Sequence, residues 1–224
     1  MINFKCIMLS AVLTMLSITA QAHEVWLEKD NDNSPVRVYL GEPGEPDSGD
    51  KIDNLKGAQV FITTLEDSAT LTQKEDHWQA AVTGEGDVRL VTDKVWQPWS
   101  ISDAAWWQFW AEDKLQGAIL QARAGRSETI AKLTFELVPV TANGNVFTAL
   151  FKGQPLVNQN VTLLLPSKKE LTLTSDSKGQ VEVTTTEVGQ YLLSSVNSID
   201  IDVMHSGKKV ASLMYITSLT FLVD

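Results

Sequence analysis

The chain has 224 residues, with 28 acidic and 18 basic side chains and a net charge of −10 at pH 7 when histidine is neutral. This balance argues against binding to nucleic acid or to an anionic membrane surface, because both favour an excess of positive charge. The single cysteine excludes a disulfide framework, so the stability of the fold must come from a buried core.

Residues 1–22 have the pattern of a secretory signal peptide. Lys5 provides a positive start, the stretch 7–18 is apolar apart from three hydroxyl side chains, and Ala20-Gln21-Ala22 offers small residues for cleavage. The apolar stretch is too short to span a bilayer comfortably. Cleavage after Ala22 would remove Cys6 and leave 202 residues of net charge −11 that begin with His23. We therefore expect a periplasmic protein, because cysteine-free acidic chains suit that compartment.

The next part of the sequence alternates apolar and polar residues in short runs. Residues 36–40, 58–62 and 87–91 read as strands, and clusters rich in glycine, proline and asparagine separate them. We predict an N-terminal β domain over residues 23–140.

Five tryptophans fall within fifteen positions of the region 95–122, which departs from this alternation: Trp96, Trp99, Trp106, Trp107 and Trp110. Ser102-Asp103 could cap a helix from Ala104 to about Leu115. The alternative is a pair of aromatic strands. We favour a short helical or irregular excursion in which the tryptophans belong to the core, because tryptophan is largely buried on average. An exposed tryptophan stripe would instead suit sugar rings or a partner protein.

After residue 130 the period of two becomes cleaner. Strands are predicted at residues 131–138, 146–151, 161–165, 171–174, 181–184, 191–195 and 211–223. Short strands at this spacing, separated by Gly/Pro turns, are typical of a sandwich. We predict a C-terminal Ig-like β domain over residues 141–224, and for the whole chain a mainly β fold of two β-sandwich modules.

Several stretches resemble a family of periplasmic proteins associated with nickel or cobalt uptake, of which the NikM-like periplasmic component is an example. The resemblance spans nearly the whole exported chain, although residues 50–130 match weakly. It is carried by Ala22-His23-Glu24-Val25-Trp26-Leu27-Glu28, Leu133–Pro139, Phe151-Lys152-Gly153-Gln154-Pro155-Leu156, Thr174–Gln180, Gly189-Gln190-Tyr191 and Tyr215–Phe221. The lysine-glycine turn and the following Asp-x-x-Gly turn are shared with many Ig-like and transthyretin-like modules. The resemblance implies handling of a divalent metal outside the inner membrane, with a membrane metal transporter as partner.

One position departs from the family pattern. Many relatives carry a Gly-His pair after the second strand, where this chain has Gly41-Glu42. If the family histidine binds metal, this protein has lost that ligand or replaced its nitrogen with the carboxylate of Glu42.

His23 is the main candidate metal ligand. A histidine at the start of a processed chain chelates a cation through its α-amine and ring Nδ1, and one further imidazole completes a nitrogen set that suits Cu²⁺ and tolerates Ni²⁺. Both groups lose their protons readily near neutral pH. Only His77 and His205 can supply the third nitrogen, and the sequence does not choose between them. Each of the three histidines could also have no functional role and be a solvated side chain or a residue beside a turn.

The predicted function is a periplasmic accessory that binds nickel, cobalt or copper through His23, with His77 or His205 as third donor and Glu42 as a possible oxygen donor. The sequence has no G-x-S-x-G motif, no H-E-x-x-H motif and no catalytic cysteine, so catalysis is not required. Two alternatives stay open. One is a structural or adhesion-type secreted β module without metal. The other is a copper-dependent polysaccharide oxidase whose tryptophans hold the glycan.

Overall fold

The computed structural model describes residues 23–31, 34–82, 84–101 and 114–224. Short strands dominate, which confirms the predicted mainly β fold. Two 3₁₀ helices, Gly49–Gly57 and Leu65–Asp67, lie between strands of the first half. The strands described there are β1 (Glu24–Glu28), β2 (Val36–Glu42), β3 (Glu45–Pro46), β4 (Gln59–Phe61), β5 (Leu71–Gln73), β6 (Trp78–Ala80), β7 (Val88–Thr92), β8 (Trp99–Ser100) and β9 (Leu115–Ala124).

The second half is built from strands joined by tight turns. Their order is β10 (Phe135–Pro139), β11 (Val146–Phe151), β12 (Gln154–Pro155), β13 (Asn160–Leu164), β14 (Glu170–Thr174), β15 (Gln180–Glu182), β16 (Gly189–His205) and β17 (Lys208–Val223). Among the residues described, no helix is both long and apolar enough to span a bilayer.

The strands form three sheets. A five-stranded sheet has the order β1-β2-β6-β5, with β3 beside β2, and a four-stranded sheet joins β10, β11, β12 and β15. The central sheet has eight strands, ordered β14-β13-β16-β17-β9-β7-β4 with β8 beside β9. Strands β9 and β17 pair in parallel, which joins the two halves of the chain within one sheet.

The two larger hydrophobic cores among the described residues lie on opposite faces of the central sheet. Along β9, Ala118, Leu120 and Ala122 belong to the first core, whereas the intervening Ile119 packs on the second. Successive side chains of a strand point to opposite faces, so this alternation places one core on each side of the strand. The five-stranded sheet closes the first core and the four-stranded sheet closes the second, which gives two sandwich-like modules on a shared sheet.

Strand β1 is an edge strand of its sheet, and its free edge lies on β17. The hydroxyl of Ser218 donates to the carbonyl of Val25 at 2.6 Å, and that of Thr220 donates to the carbonyl of Leu27 at 2.5 Å. Both groups are buried, where an unpaired carbonyl is costly. These two bonds therefore fix how the first module sits on the central sheet.

The second module has a hydrogen-bonding feature seen in Ig-like sandwiches. The Tyr191 hydroxyl donates to the carbonyl of Glu187 at 3.0 Å and accepts from the backbone N–H of the same residue at 2.9 Å. A tyrosine near the start of a strand that bonds back a few residues upstream is the tyrosine corner of that fold class. Its ring stacks on Phe221, with centroids 5.3 Å apart.

Most strands predicted in the second half are observed within a few residues of their expected bounds, and the final run forms the long strand β17. The main error concerns the region 95–122, expected to be a helical or irregular excursion. Its last part is the strand β9, which begins at Leu115 and occupies the middle of the central sheet. Most of the helix predicted from Ala104 lies outside the described residues.

The boundary predicted after residue 140 falls between two strands that pair with each other. Strand β10 pairs with β11, and the backbone N–H of Val140 donates to the carbonyl of Val146 in the turn between them. Phe135 and Leu137 of β10 also belong to the second core. Both cores and the central sheet thus take residues from each side of the predicted boundary, and the division at residue 140 stays a prediction.

Candidate functional site

His23 stands directly before β1, and its ring is paired with an acidic residue that sequence reasoning did not select. Its Nε2 lies 3.1 Å from Oδ2 of Asp47, and the side chain of Asp47 is 14% exposed against 44% for His23. The backbone N–H of Asp47 donates to the carbonyl of Leu40 at 2.8 Å, which fixes its position at the end of β2. Because Asp47 takes Nε2, the nitrogen left for chelation is Nδ1, the one that forms a ring with the α-amine of a processed chain.

Glu42 is the last residue of β2. Glu24 pairs with Gly41 across β1 and β2, so the register brings the backbone of Glu42 level with that of His23. Glu42 also pairs with Glu45 across the turn that leads into β3. The structure therefore puts the predicted carboxylate donor on the strand end nearest to His23.

His77 lies in a different part of the five-stranded sheet. Its ring centroid is 5.4 Å from that of Tyr39, which in turn stacks on Trp26 at 5.4 Å. Its Nδ1 is 2.6 Å from Oδ1 of Asp76, and this hydrogen bond lowers the pKa of the Asp76 carboxyl below its ordinary value. Trp26 is three residues along β1 from His23, which at strand dimensions is about 10 Å, and β2 lies between β1 and the strand that His77 precedes.

His205 ends β16 and is buried, at 7% exposure. Its ring packs on Gly117 of β9, where an added Cβ would lie 2.9 Å from the ring Cγ. Within the described residues its Nε2 has no hydrogen-bond partner. The neighbouring Ser206 hydroxyl reaches the carbonyl of Asp93 at 3.5 Å. The His205 ring thus packs against Gly117 at the end of the long hairpin formed by β16 and β17.

The structure therefore gives each of the three histidines surroundings of its own. Among the residues it describes, no group of three or more His, Cys, Asp or Glu side chains is placed to hold a metal ion. The pairs His23–Asp47 and His77–Asp76 are separate contacts. The ligand set His23, His77, His205 and Glu42, together with the α-amine that processing would expose, stays a prediction.

The tryptophan cluster is described only in part. Trp96 and Trp99 meet edge to face, with ring centroids 6.2 Å apart, and both pack partly buried against the first core. This agrees with the core interpretation for these two. Trp106, Trp107 and Trp110 lie outside the described residues, so the flat aromatic surface that a polysaccharide oxidase needs stays a prediction.

A buried ionic cluster joins the two modules and was not found by sequence reasoning. Arg89 of β7 and Arg123 of β9 face each other in register, and both are fully buried. Between them lies Glu136 of β10, whose Oε1 accepts from Arg89 Nε at 2.8 Å and from Arg123 Nη1 at 2.9 Å. Two backbone N–H groups, of residues 132 and 133, donate to its Oε2. Every oxygen of this buried carboxylate is therefore satisfied.

Two further carboxylates complete the cluster. Asp87 accepts from Arg123, from the backbone N–H of Ser127 at 3.0 Å and from its hydroxyl at 2.7 Å. Glu128 accepts from Arg89 at 2.5 Å. Burial alone would lower the pKa of Arg89, but the charge of Glu136 and the hydrogen bonds of both glutamates raise it overall. The signal available in the sequence is an arginine in the middle of an apolar run, in Val88-Arg89-Leu90 and Ala122-Arg123-Ala124.

Beside this cluster is a groove of about 1210 Å³ whose walls come from both modules. The part of the chain before β10 contributes residues 29–31, 82, 84–87 and 124–127, and the second half contributes 143, 190, 220–222 and 224. The lining combines backbone of three glycines with charged and amide side chains. A smaller concave surface, of about 290 Å³, lies beside Trp26 and Leu164.

The fold and these surfaces define a mainly β protein of two sandwich-like modules. No protein-family model matches the chain, and no curated protein matches it. Among solved structures the chain is similar to the SGBP-B protein of the Bacteroides ovatus mixed-linkage glucan utilization locus, in complex with a mixed-linkage heptasaccharide. The identity is 9%, the match covers 87% of this chain and 46% of that one, and the TM-score is 0.18. The chain thus spans less than half of that protein, and a TM-score of 0.18 does not indicate a shared fold.

Proposed function

We propose that this chain is a non-catalytic β-module protein that works outside the cytoplasm and presents a rigid binding surface. The observation that carries the proposal is the way the modules are joined. A continuous central sheet and the cluster of Arg89, Arg123 and Glu136 link them, and the groove lies beside that joint. Walls held in this way lose little conformational freedom when a ligand binds, which favours affinity.

Two features of the chain support this class over an enzyme. The sequence offers no nucleophile or metalloprotease motif. Among the described residues the histidines do not form a shared constellation, and each has a structural environment of its own. The signal-like pattern of residues 1–22 supports export.

The test is saturable binding of the exported, purified protein to isolated cell-envelope fractions, measured with and without a chelator. We expect binding that saturates and is unchanged by the chelator. Binding that appears only after nickel, cobalt or copper is added would contradict this proposal and favour a metal-handling function. Absence of saturable binding to every envelope fraction would contradict the proposal.

A second candidate function is the metal-binding accessory of nickel, cobalt or copper uptake. The pair His23–Asp47 favours it, because a histidine that binds metal through one ring nitrogen usually gives the other to a carboxylate, which fixes the tautomer and the orientation of the ring. In this protein Asp47 takes Nε2 and leaves Nδ1 for the chelate. On this proposal the ion passes to or from a membrane transporter.

The metal candidate is tested by titrating Cu²⁺ and Ni²⁺ into protein that begins at His23 and into protein with one alanine ahead of it. The chelate requires the free amine of His23, so the extension should weaken binding strongly. Asp47→Ala should weaken it by roughly 10- to 100-fold, the usual effect of losing an orienting partner. Asp76→Ala, which breaks the other His–Asp pair, is the matched control. Equal metal affinity with and without the extension would exclude chelation by the α-amine and ring of His23.

A further inference from the structure

Arg126 differs from the other arginines of this protein. The chain has four, and Arg37, Arg89 and Arg123 each pair with at least one carboxylate. Within the described residues Arg126 has no carboxylate partner. Burial lowers its pKa, and no neighbouring acidic group offsets that effect. In a chain with 28 acidic residues, a half-buried guanidinium without a counter-ion is unusual.

The guanidinium of Arg126 is held in place by neutral groups. Its Cζ lies 4.4 Å from the centroid of the Phe221 ring, a cation–π distance. Its Nη1 donates to the side-chain oxygen of Asn145 and to the carbonyl of Gly144, the latter at 3.3 Å. The described part of the chain provides no acceptor for Nε or Nη2. The planar fork is thus oriented in advance, with two donor nitrogens available to a carboxylate.

Arg126 lines the groove between the modules, and the rest of the lining limits what can bind there. Glu85 and Asp224 are exposed acidic residues of the same groove, and Asn143 offers an exposed amide. Asp87 is already saturated by Arg123 and Ser127 and is not available. A polyanion would meet these acids and the net charge of −10. A ligand with a single carboxylate and basic or hydrogen-bonding groups is complementary to the lining.

We propose that this groove binds the carboxyl-terminal end of a short basic or neutral peptide segment, with its terminal carboxylate on the Nε and Nη2 donors of Arg126. The inference rests on the proposed function as a binding module. It adds the site and the ligand class. The backbone of Gly84, Gly86 and Gly125 lines the groove together with the exposed amide of Asn143. Backbone and amide groups both donate and accept hydrogen bonds, so they can pair with the main chain of an extended peptide.

The test compares two pools of tetrapeptides that differ only in having a free carboxylate or an amide at the C-terminus. Binding to the full exported protein is measured by calorimetry, and the Arg126 Nε–H signal is followed by NMR. We expect the carboxylate pool to bind about 10- to 100-fold more tightly and to move the Arg126 signal, as for a hydrogen-bonded charge pair. Arg126→Gln should abolish the preference for the free carboxylate. Lys152→Gln is the matched control, because Lys152 also lies over an aromatic ring, at 5.3 Å from the Phe151 centroid, but does not line the groove.

Equal binding of the two pools to the wild-type protein would overturn the inference, and this comparison needs no variant to fold. Preferential binding of a uronic-acid trisaccharide with the same dependence on Arg126 would also overturn it, in favour of a glycan ligand. If the carboxylate and amide pools bind equally and Arg126→Gln still binds the cell envelope, the proposed function is retained but the Arg126 site is excluded. Loss of all envelope binding by the wild-type protein would remove the proposed function itself.

Discussion

Glu24 provides a quantitative test of how the first module docks on the central sheet. Its carboxyl is 8% exposed, and its Oε2 has no hydrogen-bond partner among the described residues. Burial raises its pKa from the ordinary 4.5 to about 7; a hydrogen bond with Ser194 lowers it in part, and the charge of Glu170 raises it further. The ionised form is therefore much less stable in the folded protein than in the unfolded chain.

The sign of the pH effect follows from these two pKa values. Below about pH 4.5 the carboxyl of Glu24 is protonated in both states, and it has no effect on stability. Between 4.5 and about 7 the folded state keeps the proton that the unfolded state loses, so stability falls as the pH rises. Above about 7 the loss is complete. At about 1.4 kcal/mol per pKa unit it reaches about 3 kcal/mol.

Glu24→Gln removes this ionisation and keeps the shape of the side chain. We expect the variant to match the wild type at pH 4 and to exceed it at pH 8 by about 2 to 3 kcal/mol in the free energy of unfolding. For a chain of this size that is roughly 4 to 12 °C in melting temperature. Denaturant unfolding at both pH values measures the difference.

The exposed Glu182 provides the control, since Glu182→Gln should leave the free energy of unfolding unchanged to within about 0.5 kcal/mol at either pH. A gain for Glu24→Gln that is the same at pH 4 and pH 8 would refute the role of ionisation. A loss of stability at pH 8 would show that a partner group stabilises the charged carboxylate of Glu24 in the folded protein.

Three further predictions concern packing and buried polar groups. Gly117→Ala places a methyl group against the ring of His205 and should destabilise by about 1 to 3 kcal/mol; the double variant with His205→Ala should recover most of that loss in the same unfolding assay. Glu136→Ala leaves two buried guanidinium groups without their shared carboxylate and should destabilise by about 3 to 5 kcal/mol, and an effect under about 1 kcal/mol would show that water reaches the cluster. Tyr191→Phe removes both hydrogen bonds of the tyrosine corner and should lower the free energy of unfolding by about 1 to 3 kcal/mol, with no change in the circular dichroism of the strands.

The alternation of apolar and polar residues predicted the strands whose two faces differ. Strand β14 is such a case, because its exposed and half-buried positions alternate strictly. Strand β9 was missed for the opposite reason. Its sequence, LQGAILQARA, is rich in residues that favour helices, and apolar and polar residues alternate regularly only over positions 120–124. The strand is mostly buried between two neighbouring strands, where such alternation is not required. Tertiary pairing overrides local preference there.

The sequence could predict single residues of the candidate sites but not the contacts between residues that are distant in the chain. His23 was selected from its position after a cleavage pattern, but Asp47 was not, because their contact depends on how the chain turns after β2. The cluster of Arg89, Arg123 and Glu136 likewise needs the register of β7 on β9, which one sequence does not supply.

Strand β17 positions both candidate sites. The hydroxyls of Ser218 and Thr220 donate hydrogen bonds to the edge of β1, and β1 in turn positions His23, the residue directly before it. One residue further along, Phe221 lies under the guanidinium of Arg126 in the groove. Ser218, Thr220 and Phe221 all lie on β17, and a shift of a strand by one residue exchanges its two faces. Such a shift would turn both hydroxyls away from β1 and, at the same time, turn the Phe221 ring away from Arg126. The parallel pairing of β17 with β9 fixes that register, so the sheet that joins the two modules also determines the geometry available at each site.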